Sequence, residues 1–301
     1  MDKLMKEMER RAPGRSNLST SRKEGDVPEI LSGYFEERTT GAPLCAIIRN
    51  SNTRSKDYSK LKNVMRPGHA DYTGAIRYEG YNDYRGGGHF SGRITAPIVF
   101  AGAICKQILE QQGIYITSHV KSIGKISDDS LLDNDITEDL VASFKGAELP
   151  LINKDLEEKM RNEILEAKSE AIGGTIECVV LGIKPGIGNP FFDSVESTLA
   201  HLMFSVPAVK GIEFGRGFDI SKMRGSEANE EYYMYNGDIK TSTNNNGGVL
   251  GGITNGMPII FNVAIKPTAS ILREQNTINI QTKENTTLKI EGRHDPCIVQ
   301  S

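Results

Sequence analysis

Cysteine is scarce in this chain and poorly spaced for chemistry. Cys45, Cys105, Cys178 and Cys297 stand far apart and form no CxxC pair, so metal-ligand spacing is absent and a reducing cytoplasm is the expected setting. A basic excess is missing too. Lys and Arg number 36 against 39 Asp and Glu, a formal net charge of −3, which argues against a general polyanion binder. No apolar run approaches membrane-spanning length, and the charged start MDKLMKEMERR lacks the apolar core of a signal peptide. The reading is a cytoplasmic protein that binds neither nucleic acid nor membrane. The regular alternation of a doubly wound sheet is also lacking, which predicts α+β layers.

What is present suffices for a real core: 301 residues, 38% of them hydrophobic, allow one large or two ordinary domains. Residues 2–11 predict a short helix with Leu4, Met5 and Met8 on one side, stopped by Ala12-Pro13-Gly14. Strands are expected at Glu29–Leu31 and Pro43–Arg49. Pro97 opens a helix with Thr95 as cap and Gly113 as terminator. Further strands are expected at 114–120, 175–183 and 258–265, and helices at 153–171 and 194–204. The stretch 128–147 is acidic and reads as a surface excursion.

The most unusual composition lies between Arg66 and Arg93, RPGHADYTGAIRYEGYNDYRGGGHFSGR. Its 28 residues hold two of the five histidines, four arginines, four tyrosines and Gly86-Gly87-Gly88. Consecutive glycines lose much entropy on ordering and let backbone amides come close to a ligand. Arginines supply flat, multi-donor cations for phosphate or carboxylate oxygens. His69, after a Pro-Gly turn, belongs to the residue type suited to give or take a proton near neutrality. Together they suggest a site for an anionic, phosphorylated small molecule with a histidine placed to move protons. Singly, each has a plainer reading: a glycine run is usually a turn and a lone histidine usually structural. RGGG also resembles nucleic-acid-binding Arg-Gly segments, but those repeat and this one does not.

Other loops add polar groups. Arg10, Arg11, Arg15 and Arg22 flank a segment with little to bury, suited to a solvated loop or an anion site. FGRGF at 214–218, RGSEAN at 224–229 and TSTNNNGG at 241–248 offer amides for the edge of a heteroaromatic ring, or make a flexible polar loop. Lys266-Pro267-Thr268-Ala269-Ser270 is a phosphate grip in composition. Segments 30–49 and 249–266 echo one another, each with a strand that starts at Gly-x-Pro and ends on a basic residue. If that echo is a duplication, a pseudo-twofold axis relates two halves with a site between them.

In order and spacing, RPGHADY (66–72), YRGGG (84–88), FGRGF, RGSEAN, NNNGGVLGGITNG (244–256), KPTAS (266–270) and GRHDPC (292–297) resemble chorismate synthase along nearly the whole chain. The resemblance implies a β-α-β sandwich with pseudo-duplicated halves, a single domain over 1–301 incomplete at both ends, and a homotetramer. It implies a lyase that takes 5-enolpyruvylshikimate 3-phosphate to chorismate by anti elimination, with reduced FMN and with NADPH as a candidate reductant. By the match, His69 protonates the reduced flavin or its surroundings, and Asp295 helps the flavin take up the substrate proton. Ser91 joins them as catalytic. His89, Phe90, Ser91, Asn245, Asn246, Gly251, Lys266, Pro267, Thr268, Ala269, Ser270 and Arg293 fall where the family binds FMN. Arg11, with Arg10 and Arg93, matches basic positions for substrate or nicotinamide phosphate.

The match has departures. The family pattern RSSARET reads His89-Phe90-Ser91-Gly92-Arg93-Ile94-Thr95 here, and Asn17 stands where many members have an arginine. The family's opening GESHG strand, whose histidine is proposed to protonate the departing phosphate, and its closing helix fall outside residues 1–301. Two expectations therefore stand: a chorismate synthase, or a truncated homologue that binds FMN or anions, or only assembles, without turnover.

Overall fold

The computed structural model describes residues 1–14, 16, 18–20, 25–50, 61–290 and 294–299. Helix α1 (Asp2–Arg11) turns Leu4 and Met8 inward. The two expected strands are β1 (Pro28–Ser32) and β4 (Cys45–Ile48), paired antiparallel, with a small hairpin of β2 (Tyr34–Phe35) and β3 (Arg38–Thr39) between them. After the short α2 (Asp71–Arg77) comes α3 (Thr95–Glu110). Thr95 is not its cap. It is the first helical residue, and its hydroxyl donates to the Gly92 carbonyl at 2.7 Å. Gly113, at φ +76°, ends the segment as expected.

Small residues let α1 and α3 approach closely. Ala96 and Ala103 are buried against Leu4 and Met8, and Lys3–Glu110 and Lys106–Glu7 pairs cross the seam at 2.6 and 2.7 Å. With the turn before it, α3 makes a 19-residue helical stretch, Gly92–Glu110, of mean hydropathy 1.2. By length and composition alone it is long and apolar enough to cross a bilayer, although it is no unbroken apolar run: Arg93, Lys106 and Glu110 lie within it. Here its Arg93 and Lys106 are ion-paired with Asp26 and Glu7, and α1 covers its alanine face.

An antiparallel five-stranded sheet organises the rest, in the order β6 (Ile126–Ser127), β5 (Tyr115–Ile123), β7 (Gly174–Leu181), β13 (Ile259–Ile265), β8 (Val209–Phe214). Alternation along the strands gives it two apolar faces. Cys178, Val180, Ile259, Phe261 and Val263 lie under α6 (Val195–Met203). On the other face, Val179 and Ile260 meet Leu131 and Phe144 of the segment carrying α4 (Glu138–Phe144). Helix α5 (Glu157–Glu166) brings Met160 and Ile164 onto Val120, Ile123, Cys297 and Val299. This is an α+β fold, as expected.

The stretch 128–147 is not the surface excursion that its acidity suggests. Asp128, Leu131 and Phe144 are buried, because the few apolar residues of the stretch close over the sheet and Asp128 faces a buried histidine. The echoed segments lie in different settings. Residues 30–49 hold the β1–β4 ribbon, while 249–266 supply the ribbon of β11 (Val249–Leu250) and β12 (Ile253–Thr254) and the central strand β13.

Two hairpins complete the chain. One, β9 (Tyr232–Tyr235) with β10 (Asp238–Thr241), follows the single turn α7 (Gly225–Ala228) and stands largely exposed. The other, β14 (Glu274–Asn279) with β15 (Glu284–Lys289), packs Leu288 and Ile290 on Leu61. Through a Met65 N–H bond to the Ile278 carbonyl (3.2 Å) it brings the Arg66–His69 turn back beside the end of β13.

Candidate functional site

The His69 N–H bonds the Arg66 carbonyl at 3.2 Å, closing a turn in which Gly68 takes φ +70°. The imidazole is mostly covered, with 16% of the side chain accessible, and its Nδ1 lies 2.6 Å from Asp71 Oδ1. Arg66, itself buried, donates Nε and Nη2 to the two Asp71 oxygens at 2.7 and 2.8 Å. Burial works to raise the Asp71 pKa, but hydrogen bonds from Arg66 and His69 and their charges outweigh it and hold the carboxyl well below its ordinary range. The other side of the ring faces the glycine run. A Cβ built on Gly87 (φ +81°) would sit 3.5 Å from His69 Nε2 and 3.7 Å from the Ser91 Cβ. Phe90 packs on Gly74 of α2, and His89 meets the Tyr78 hydroxyl at 3.1 Å with its ring 4.3 Å from that of Phe90.

From the far end of the sheet, Lys266 Nζ donates to the Gly68 carbonyl at 2.5 Å, and Ala269 lies beside Gly68. Pro267 packs on Gly173, where a Cβ would strike the Ile265 carbonyl at 2.3 Å. The Thr268 hydroxyl donates to the Asp295 carbonyl at 3.1 Å, while the Asp295 carboxylate accepts the Thr20 N–H at 2.7 Å. Buried Cys297 and Val299 anchor this segment. His294, next to Asp295, has a buried Nε2 without a hydrogen-bond partner. Burial, reinforced by the positive charge of Arg66, lowers its pKa and keeps it neutral. Arg293 lies outside the described residues. His69, Ser91, Lys266–Ala269 and Asp295 are thus joined through direct neighbours from four distant stretches of chain.

The arginines expected to hold phosphate are beside one another but engaged. Arg11 and Arg93 both pair with the fully buried side chain of Asp26, at 3.2 Å for Arg93. Arg11 also donates to Thr95 Oγ1 at 3.3 Å and Arg93 to the Arg49 carbonyl at 2.9 Å. Arg10 points outward, 3.6 Å from Glu7.

The family model of chorismate synthase matches residues 1–301. The chain belongs to the chorismate synthase family. The chorismate synthase of Pyrococcus abyssi is 46% identical over 300 residues, 99% of this chain and 82% of that protein. The one from Methanocaldococcus jannaschii is 46% identical over 310 residues, covering 98% and 81%. A crystal structure of chorismate synthase superposes with a TM-score of 0.70 at 30% identity, over 89% of this chain and 76% of that one. The family is one of lyases that serve aromatic amino-acid biosynthesis.

Within this chorismate synthase-like chain, three expected flavin residues stand apart from the His69 group. Asn245 is buried, and its amide nitrogen is used inside the loop cluster, on the Glu227 carbonyl (3.1 Å), the Ala228 carbonyl (3.3 Å) and Thr243 Oγ1 (3.2 Å). Its side-chain oxygen accepts from Arg216 at 3.3 Å. Asn246 donates its backbone N–H to Glu230 at 2.7 Å, and Gly251 (φ +61°) turns β11 into β12 in open space. Among the described residues no contact joins these three to His69 or Lys266.

Sequence reasoning missed Asp71 and Arg66 as partners of His69, although a carboxylate two residues after a histidine was visible in RPGHADY. It also missed Ala208, whose carbonyl accepts the Lys266 N–H at 3.0 Å from a φ of +71°. A third omission is the buried set His119, Asp128 and Glu177 (3.3 and 2.8 Å from the imidazole), which breaks the apolar alternation of the strands. Cys178 is no nucleophile: burial, and then the charge of Glu177, push its thiol up to about 12.

Proposed function

We propose that this chain converts 5-enolpyruvylshikimate 3-phosphate to chorismate and phosphate by anti elimination, as a carbon–oxygen lyase acting on phosphates. Family membership supports the reaction. The observation in the coordinates that supports it best is the convergence of His69, Gly87, Lys266 and Asp295 on one patch.

The residues present fit a flavin mononucleotide. Gly87 leaves open the space that a Cβ would fill beside His69 Nε2, and Lys266 and Ser270 are the kind of donors a phosphate takes, next to a Thr268 hydroxyl that donates to the Asp295 carbonyl. In this reading Lys266, Pro267, Thr268, Ala269, Ser270 and Arg293 hold the phosphate end, and His89, Phe90 and Ser91 border the ring system. Asn245, whose carboxamide is saturated, shapes its loop, with Asn246 and Gly251 on the same loops. Reduced FMN, when bound, supplies transient electron donation to the reacting ring, with NADPH as candidate reductant. Arg11 and Arg93, two cations against the one carboxylate of Asp26, leave a net positive field for the departing phosphate, with Arg10 farther out beside Glu7. His69 takes up and gives back a proton at Nε2, and the Asp295 carboxylate is the second proton-handling group.

The same reading includes a cytoplasmic homotetramer. The chain exposes 18362 Å², against about 12,500 Å² for a compact monomer of this mass. Phe191, Phe192 and Phe218 are more than four-fifths exposed, surface of the kind that subunits cover.

The test is phosphate release from 5-enolpyruvylshikimate 3-phosphate by the purified chain under anaerobic conditions. Release with reduced FMN and none with oxidised FMN is expected. No release with either, by protein that still binds FMN, would leave the non-catalytic homologue as the better description.

A further inference from the structure

We propose that Arg66 and Asp71 form a positioning pair that fixes His69 in a single tautomer, with the proton on Nδ1 and the lone pair of Nε2 presented over Gly87. This rests on the reading of His69 as the proton carrier of the site.

The donors and acceptors leave one solution. Asp71 is buried and accepts three N–H groups from Arg66: Nε at 2.7 Å, Nη2 at 2.8 Å and the backbone N–H at 3.1 Å. So clamped, the carboxyl stays ionised and can only accept. His69 Nδ1 is 2.6 Å from Oδ1, and a nitrogen that close to an acceptor must be the donor. Arg66 Nη2 also lies 3.1 Å from Nδ1 and has a second N–H besides the one Asp71 takes, but an Nδ1 that accepted it would set its lone pair against the Asp71 oxygen at 2.6 Å. Nδ1 therefore carries hydrogen in both the neutral and the charged ring. Only Nε2 gains or loses a proton, and it looks onto Gly87 and Ser91, with no hydrogen-bond partner among the described residues.

Arg66 has a second effect. A buried carboxylate beside an imidazolium could take the proton itself, moving it away from the reacting face. The guanidinium makes a neutral Asp71 so unfavourable that the proton stays on the ring. Asp71 and Arg66 are buried, and their side-chain hydrogen bonds are to each other and to His69. They act through His69, and so are positioning residues.

The test uses the full chain with 15N-labelled histidine. Long-range proton–nitrogen spectra at a pH where His69 is neutral should show the proton on Nδ1, with and without FMN. In Asp71→Asn the single amide oxygen is taken by Arg66, and the NH2 group faces the ring. His69 should then switch to the Nε2–H form, with kcat for phosphate release falling about 10²- to 10⁴-fold at unchanged KM. An Nε2–H form or an equal mixture in the unmutated chain would overturn the proposal, and that measurement needs no variant to fold. Retention of the Nδ1–H form in folded Asp71→Asn would overturn it as well. His69→Ala separates the two levels. Unchanged turnover in that variant removes His69 from the reaction, while the tautomer spectra still judge the pair.

Discussion

Lys266 shows how a single side chain can both build a site and serve it. Its ammonium ties the Gly68 carbonyl to the end of β13, and two further N–H bonds remain for a ligand phosphate. Lys266→Ala is expected to weaken FMN binding by roughly 1–3 kcal/mol, the range of a charge-assisted hydrogen bond. Fluorescence titration measures it, and unchanged affinity would remove Lys266 from the flavin site. At this scale the sequence was partly legible. His69 and Lys266 stood out because their types are poor core material, and both lie in the converging patch. Asp71 did not stand out, since a carboxylate in a loop reads as solvated until a buried arginine is seen around it. Asn245 misled for the opposite reason. Asparagine among glycines has the composition of a ligand edge, and only coordinates show that its amide closes its own loop.

Among the elements, helices and strands with clean periodicity were readable: α1, α3, β5, β7 and β13 form within a few residues of expectation. The segment before and through α4 was not, because its acids hid the role of Leu131 and Phe144 as a lid on the sheet. Under that lid a polar row crosses the strands, with His119 opposite Glu177, Glu177 opposite Asn262 and Asn262 opposite Glu213. Burial opposes charge on His119, yet the Asp128 carboxylate 3.3 Å from Nδ1 and the Glu177 hydrogen bond at Nε2 raise its pKa above the ordinary 6.5. The same contacts outweigh burial at Asp128 and Glu177 and lower theirs below 3.8 and 4.5. The sign follows from linkage. The histidine's contribution is full below about pH 6.5 and is lost as pH rises through its raised folded value. The acids' contribution is full above about pH 4.5 and is lost as pH falls through their lowered values. Denaturant-unfolding stability should therefore peak near pH 5–6 and decline on both sides. Glu177→Gln should cost about 3–5 kcal/mol and flatten the alkaline limb. An unaltered alkaline limb in that variant would show that the triad does not set it.

At the scale of the molecule, the α+β class was legible from an absence, the missing rhythm of a doubly wound sheet. The order of the antiparallel sheet was not legible, because β13 inserts between β7 and β8 although it follows both in the chain, more than 70 residues after β7. The halves of the expected site sit at separate loop clusters of one chain. What unites these scales is the proposed reaction, an elimination that in this reading needs a reduced flavin but consumes no reducing equivalents. The most direct measurement is the balance sheet of one reaction mixture: purified chain, substrate, a catalytic trace of reduced FMN and a known amount of reductant. Chorismate and phosphate should appear in equal amounts, many per flavin, with the reductant left over. Reductant spent in step with phosphate, or phosphate released without chorismate, would contradict the account.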